Sequence, residues 1–221
     1  MNKKKMLKLV LLVILILIAI FLGFTIRKMI IIKNLNQKVA KYVNDDNHYE
    51  KIINYSGSTT TTTDYYCKGN QSVLFLNATT ATGEERKLTN YYKEEKVNTY
   101  IESSEDKIAL LDSNALPSKV TIVDIYCGDN LWDLFKIAMS TSIKNAEYNG
   151  KECYILSLGN TEESYIEKAT GLRLKAKDGS TTDGNGNTIP TIVEYHYEFG
   201  NVNEDIFIEP DISQFKKIDN I

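Results

Sequence analysis

The sequence predicts an α+β chain: one transmembrane helix, then an antiparallel β-sheet with further helices packed on it. Three observations carry this. Leu9–Ile26 holds no charge, and as a helix it would rise about 27 Å, close to the ~30 Å hydrocarbon thickness of a bilayer. Leu172, Leu174 and Ala176 alternate with Arg173, Lys175 and Lys177, and Val193, Tyr195, Tyr197 and Phe199 alternate with Glu194, His196 and Glu198. Period-two alternation marks half-buried strands. Ile32, Leu35, Val39 and Tyr42 recur at helical spacing, and Leu131, Leu134, Phe135, Ala138 and Ile143 make a second apolar stripe, broken by Thr141 and Ser142, so each set forms one apolar helix face.

The elements follow in chain order. The apolar run reads as an uncleaved anchor rather than a signal peptide. Phe21-Leu-Gly-Phe-Thr-Ile-Arg offers no small-x-small cleavage site, and no Cys ends the run for lipoprotein processing. Lys3, Lys4, Lys5, Lys8 and the amino terminus outweigh Arg27, Lys28 and Lys33, which places the N-terminus in the cytoplasm. Met29–Val43 continues as a helix whose stripe packs on its own domain or forms a dimerising stalk. His48–Phe75 reads as two strands around the Thr59–Thr63 tract, with Thr on strand faces. His48 itself reads as a loop residue.

Gln71–Ala78, Lys87–Lys93, Lys96–Glu102 and Ile108–Leu111 are further strands, with Glu94-Glu95 at a hairpin tip. Val120–Tyr126 is β-forming by composition. Asp129 or Asn130 caps a helix from Leu131 to about Lys144. Asn149-Gly150 is a turn and Glu152–Leu158 a strand. Gly171 suits the positive-φ position between Ser164–Glu167 and Leu172–Lys177. Asp178–Asn187 is a Gly-rich loop. Phe207–Phe215 is an extended segment with a closing turn.

The division is therefore 1–8 as a short cytoplasmic N-terminus, 9–32 as anchor, 33–47 as a linking amphipathic helix and 48–221 as the extracytoplasmic β domain. Seven of the 26 basic residues and none of the 29 acidic ones fall in residues 1–33. The remainder carries 19 against 29, a formal charge of −10. Such a domain lacks the clustered cations that nucleic acid requires.

Tyr154–Pro210 also resembles a known family. A strand ending in Glu167-Lys-Ala-Thr-Gly-Leu172 leads to a basic/apolar strand, a Tyr-rich strand and Phe199-x-x-Val-Asn-x-x-x-Phe207-x-x-Pro210. This order resembles the C-terminal half of LolA-like domains, which include lipoprotein carriers, lipid-carrying lipoproteins and RseB-type sensor domains. The resemblance implies a curved antiparallel half-barrel with helices on its concave face and an apolar space between them. The expected lining is Trp132, Phe135 and Met139 from the helix and Tyr195, Tyr197 and Phe199 from the sheet. Packing of the Leu131 helix into the core is the plainer alternative.

No nucleophile elbow, phosphate loop or dinucleotide fingerprint occurs, so the chain reads as non-catalytic and without a cofactor. Glu194-x-His196-x-Glu198 puts three potential metal ligands on one strand face. Neighbours two apart along a strand are about 7 Å apart, so a solvated sheet face is the preferred reading. Cys67, Cys127 and Cys153 allow one bridge at most; Cys127–Cys153 and buried free thiols both stand open. The functional expectation is a membrane-tethered extracytoplasmic domain binding a lipid, acyl chain or lipoprotein. The alternative is a sensor or scaffold binding another membrane protein.

Overall fold

The computed structural model describes residues 3–43, 45–57, 59–79, 83–114, 130–159, 162–182 and 188–218. Val120–Tyr126 and Cys127 lie outside them. Helix α1 (Lys3–Val39) is continuous, with no break between the apolar run and the amphipathic stretch. It is long and apolar enough to cross a membrane.

Two antiparallel meanders follow. The first comprises β1 (Asn47–Ser56), β2 (Thr59–Lys68), β3 (Gln71–Thr79), β4 (Glu85–Lys93), β5 (Lys96–Glu102) and β6 (Lys107–Asn114). Helix α2 (Leu131–Ser140) then leads directly into the second: β7 (Thr141–Tyr148), β8 (Lys151–Leu158), β9 (Glu162–Glu167), β10 (Arg173–Thr182) and β11 (Thr188–Phe199). Pairing of β1 with β11 fuses the meanders into one open sheet, which a short last strand, β12 (Lys216–Ile218), completes in the order β12-β6-β5-β4-β3-β2-β1-β11-β10-β9-β8-β7.

Several expectations are corrected. The Thr59–Thr63 tract is no linker between strands; it is the first half of β2, opposite Ile52–Ser56 of β1 and, from Thr60, opposite Leu76–Thr79 of β3. His48 lies within β1 and is buried. Helix α2 ends at Ser140, because Thr141-Ser-Ile143 starts a strand paired with Leu156–Leu158. The last segment makes two 3-10 turns and then β12 (Lys216–Ile218), parallel to β6, so the sheet is mixed rather than wholly antiparallel.

Turn chemistry follows the sequence closely. Asn149 and Gly150 have φ of 51° and 74°, Glu94 has φ 57°, and Gly171 has φ 78°.

The two sheet faces are used differently. One carries α1 and α2. The other carries a row of aromatic rings, Tyr49–Tyr66–Phe75–Tyr91–Tyr100–Phe215, with successive centroids 4.5, 5.9, 6.4, 5.7 and 5.1 Å apart. Such cross-strand contacts stabilise a sheet pair by pair. Phe215 packs on Tyr100 and Ala109, and Tyr100 donates its hydroxyl to Glu209 (2.6 Å). These contacts hold the C-terminal segment across the sheet.

Candidate functional site: the junction of the N-terminal helix with the sheet

The stripe Ile32, Leu35, Val39 is buried against the chain's own sheet. Ile32 and Leu35 pack with Ala138 of α2, Leu156 of β8 and Ile166 of β9. Val39 packs on Leu172, with Tyr42, Val43, Tyr197 and Phe199 around it. The face that could have formed a dimerising stalk is thus spent within the domain. The small side chain of Ala138 lets α2 approach, and Leu134 and Ile137 flank it.

Polar contacts fix the same junction. Asn130 caps α2, its side-chain oxygen accepting from Asp133 N (2.8 Å). Lys28 Nζ donates to Thr141 O (2.7 Å), and Lys38 Nζ donates to Lys168 O. The β9–β10 turn presses on α1, so that a Cβ at Gly171 would lie 2.5 Å from Leu35 O.

The six residues expected to line one space fall into two groups. Trp132 and Met139 are 63% and 51% exposed, and Phe135, half-buried, stacks on Trp132 at 5.5 Å. These three face away from the core. Tyr197 and Phe199 lie beneath the last turn of α1, Phe199 against Tyr42 at 4.6 Å. Tyr195 receives a long hydrogen bond from Arg173 Nη1 (3.5 Å), and the guanidinium lies 5.7 Å from its ring centre. Helix α1 runs over the sheet where the apolar hollow was expected.

A buried polar cluster went unnoticed in the sequence. Register places Glu50 opposite both Tyr65 and Tyr197, on the helix-bearing face. Glu50 is 2% exposed, and burial raises its carboxyl to about 7, opposed by a hydrogen bond with Tyr197. Burial also pushes the Tyr65 hydroxyl up to about 12 and raises that of Tyr197 further. Glu50 Oε2, His48 Nε2 and Arg173 Nε have no hydrogen-bond partner among the described residues. The signal that could have found it is period two: His48, Glu50 and Ile52 alternate onto one face of β1.

Glu194, His196 and Glu198 occupy the opposite face. Tyr148 donates to Glu194 (2.7 Å), and His196 Nε2 lies 3.2 Å from Glu198 Oε1, both groups exposed. No group of three or more His, Cys, Asp or Glu side chains is arranged to hold a metal ion among the described residues. Cys153 is a buried thiol, raised by burial, that donates to Lys151 O (3.4 Å).

One open cleft, of about 440 Å³, lies between α1 and the β7–β8 edge. Phe24, Ile31, Ile143 and Tyr154 give it an apolar floor, and Arg27, Lys28 and Lys144 surround that floor with cations. No carboxylate lines it among the described residues.

No family model and no curated protein matches this chain. Among solved structures, the crystal structure of MucB in complex with MucA(peri) is similar at a TM-score of 0.34 and 9% identity, over 78% of this chain. The chain spans 57% of that structure's chain. The likeness is weak and carries no argument here.

Proposed function

We propose that the chain is a non-catalytic, membrane-tethered binding domain that holds a lipid where α1 leaves the bilayer. In this reading α1 is an uncleaved anchor and the sheet lies outside the cytoplasm, in the manner of a LolA-like domain on a leash. The supporting observation is the cleft, which pairs an apolar floor with cations directly beyond the charge-free run ending at Ile26. An acyl chain laid on Phe24, Ile31, Ile143 and Tyr154 gains about 25 cal/mol per Å² of apolar surface buried. Arg27 and Lys144, unpaired with any acid among the described residues, suit an anionic headgroup. The ligand class is the one expected from the sequence, but the location differs, since α1 fills the interior that the expectation assigned to the ligand.

The test uses the full chain in nanodiscs of mixed phosphatidylcholine and phosphatidylglycerol. Extraction into mild detergent and native mass spectrometry should show retained phosphatidylglycerol, enriched over its share of the disc. Arg27→Gln with Lys144→Gln should abolish the enrichment while circular dichroism is unchanged. Retention in proportion to disc composition, in wild type and variant alike, would overturn the reading.

A second reading, a scaffold for another membrane protein, is favoured by one feature. Strand β7 ends the sheet and pairs only with β8 among the described residues. An open edge accepts an added strand from a partner. Photocrosslinkers at Asn145 and Glu147 that capture one envelope protein in cells, with no lipid retained, would favour it.

A further inference from the structure

Helix α2 divides its circumference into three sectors. At 100° per residue, Leu134, Ile137 and Ala138 face α1 and the sheet and belong to the buried cluster. Asp133, Lys136 and Ser140 share a polar sector. Between them stands a third sector of Leu131, Trp132, Phe135 and Met139, entirely apolar, with Leu131 75% exposed. A helix facing only its own core and water carries polar residues there.

Its position indicates what covers it. Thr141, the residue after α2, accepts from Lys28, so the last turn of α2, with Met139, stands level with residue 28. That is just past the charge-free run. Thr25 is buried although the α1 residues before it are exposed, so the domain meets α1 at this level.

We infer that the apolar sector of α2 inserts into the interfacial layer of the bilayer that α1 crosses, giving the domain a second membrane contact. The inference rests on α1 as a membrane anchor. Tryptophan favours this layer because its ring is apolar and its N–H needs a partner. A helix with Leu, Trp and Phe on one face and Lys at the border is built to lie in it. Lys136, whose Nζ is 5.7 Å from the Trp132 ring centre, can reach lipid phosphate. The acidic domain would not adhere to anionic lipid by charge, so apolar burial supplies the attachment.

Trp132 is the one tryptophan of the chain, so its fluorescence reads this contact directly. The full chain is reconstituted into phosphatidylcholine vesicles containing lipid brominated near the top of the acyl chain. The expected result is blue-shifted Trp132 emission that loses most of its intensity to bromine, is protected from aqueous iodide, and is unchanged by high salt. Iodide quenching with no bromine quenching would overturn the inference. So would a Trp132 shielded in native membranes but open to iodide in pure lipid, which would assign the face to a protein. A second protein, Trp132→Phe with Leu15→Trp, in vesicles whose lipid is brominated near the end of the acyl chain, reports on the anchor itself. Loss of bromine quenching at that site removes the anchor and the inference together, whereas quenching there but not at Trp132 removes the inference alone.

Discussion

The residue with the largest consequence for pH is Glu50. Its carboxyl sits between Tyr65 and Tyr197, with His48 on the same strand face and Arg173 felt by Tyr197 from β10. Burial raises its pKa from an ordinary 4.5 to about 7. A raised acid holds its proton in the fold after the unfolded chain has released it. Stability is therefore whole below about pH 4.5 and declines as pH rises to about 7, after which it is level. At 1.36 kcal/mol per unit the decline is about 3 kcal/mol. Glu50→Gln keeps the shape and removes the titration. The stability of E50Q relative to wild type should grow by about that amount between pH 4.5 and 7, read by urea unfolding in detergent. A difference that stays flat with pH would show that Glu50 titrates as an ordinary carboxyl. The residue scale also marks where sequence reading stops. Alternation along β1 puts Glu50 on one face with Ile52, but only the pairing of β1 with β11 brings Tyr197 and the helix-bearing face of the sheet to it.

At the scale of elements, the β9–β10 turn acts as a clamp on α1. Its glycine was legible, because Glu167-Lys-Ala-Thr-Gly-Leu172 needs a left-handed residue and Gly171 adopts one at φ 78°. Its second role was not legible, since nothing in the local sequence says that a helix passes within contact of it. An alanine there meets Leu35 O at 2.5 Å and Val39 N at 3.0 Å, both backbone atoms that cannot rotate away. Strain at positive φ and the forced displacement of α1 should together cost on the order of 2–4 kcal/mol in Gly171→Ala. Hydrogen exchange should then quicken first at Leu35–Val39 and in β9–β10, leaving β2–β4 protected. Uniform loss of protection would instead mean that the turn is part of the global fold, not a local clamp. Helix α2 teaches the complementary lesson. Its cap was readable, and so were Leu134 and Ala138 of its stripe, but Leu131 and Phe135 fall outside the buried cluster and Ile137 joins it instead. Ile143 fits a helical stripe as well as a strand, and the β-branched Thr141 together with pairing to β8 decides for the strand.

At the scale of the whole molecule, α1 belongs to two environments. Its first two-thirds is exposed apolar surface, while Met29, Ile31, Ile32, Leu35 and Val39 are part of the domain core. The boundary expected at residue 33 thus runs through packed core. Composition could find the apolar run and the period-two strands because each is a local pattern. It could not find the joining of two meanders through β1 and β11, the parallel β12 or the occupied hollow, because these depend on pairings far apart in sequence. The shared helix yields a prediction about truncation. A chain beginning at residue 25 keeps every core side chain that α1 contributes and should unfold cooperatively. A chain beginning at residue 34 loses Ile32, which is 0% exposed, along with Met29 and Ile31. Loss of one such large aliphatic side chain costs about 2–5 kcal/mol. Against a total of roughly 5–15 kcal/mol for a domain, the shorter chain should show a lower unfolding midpoint, a dye-binding apolar face over Leu156 and Ile166, and a tendency to associate. Equal midpoints for the two truncations would place residues 25–33 of α1 outside the core after all, and with it the cleft would lose the wall that α1 provides.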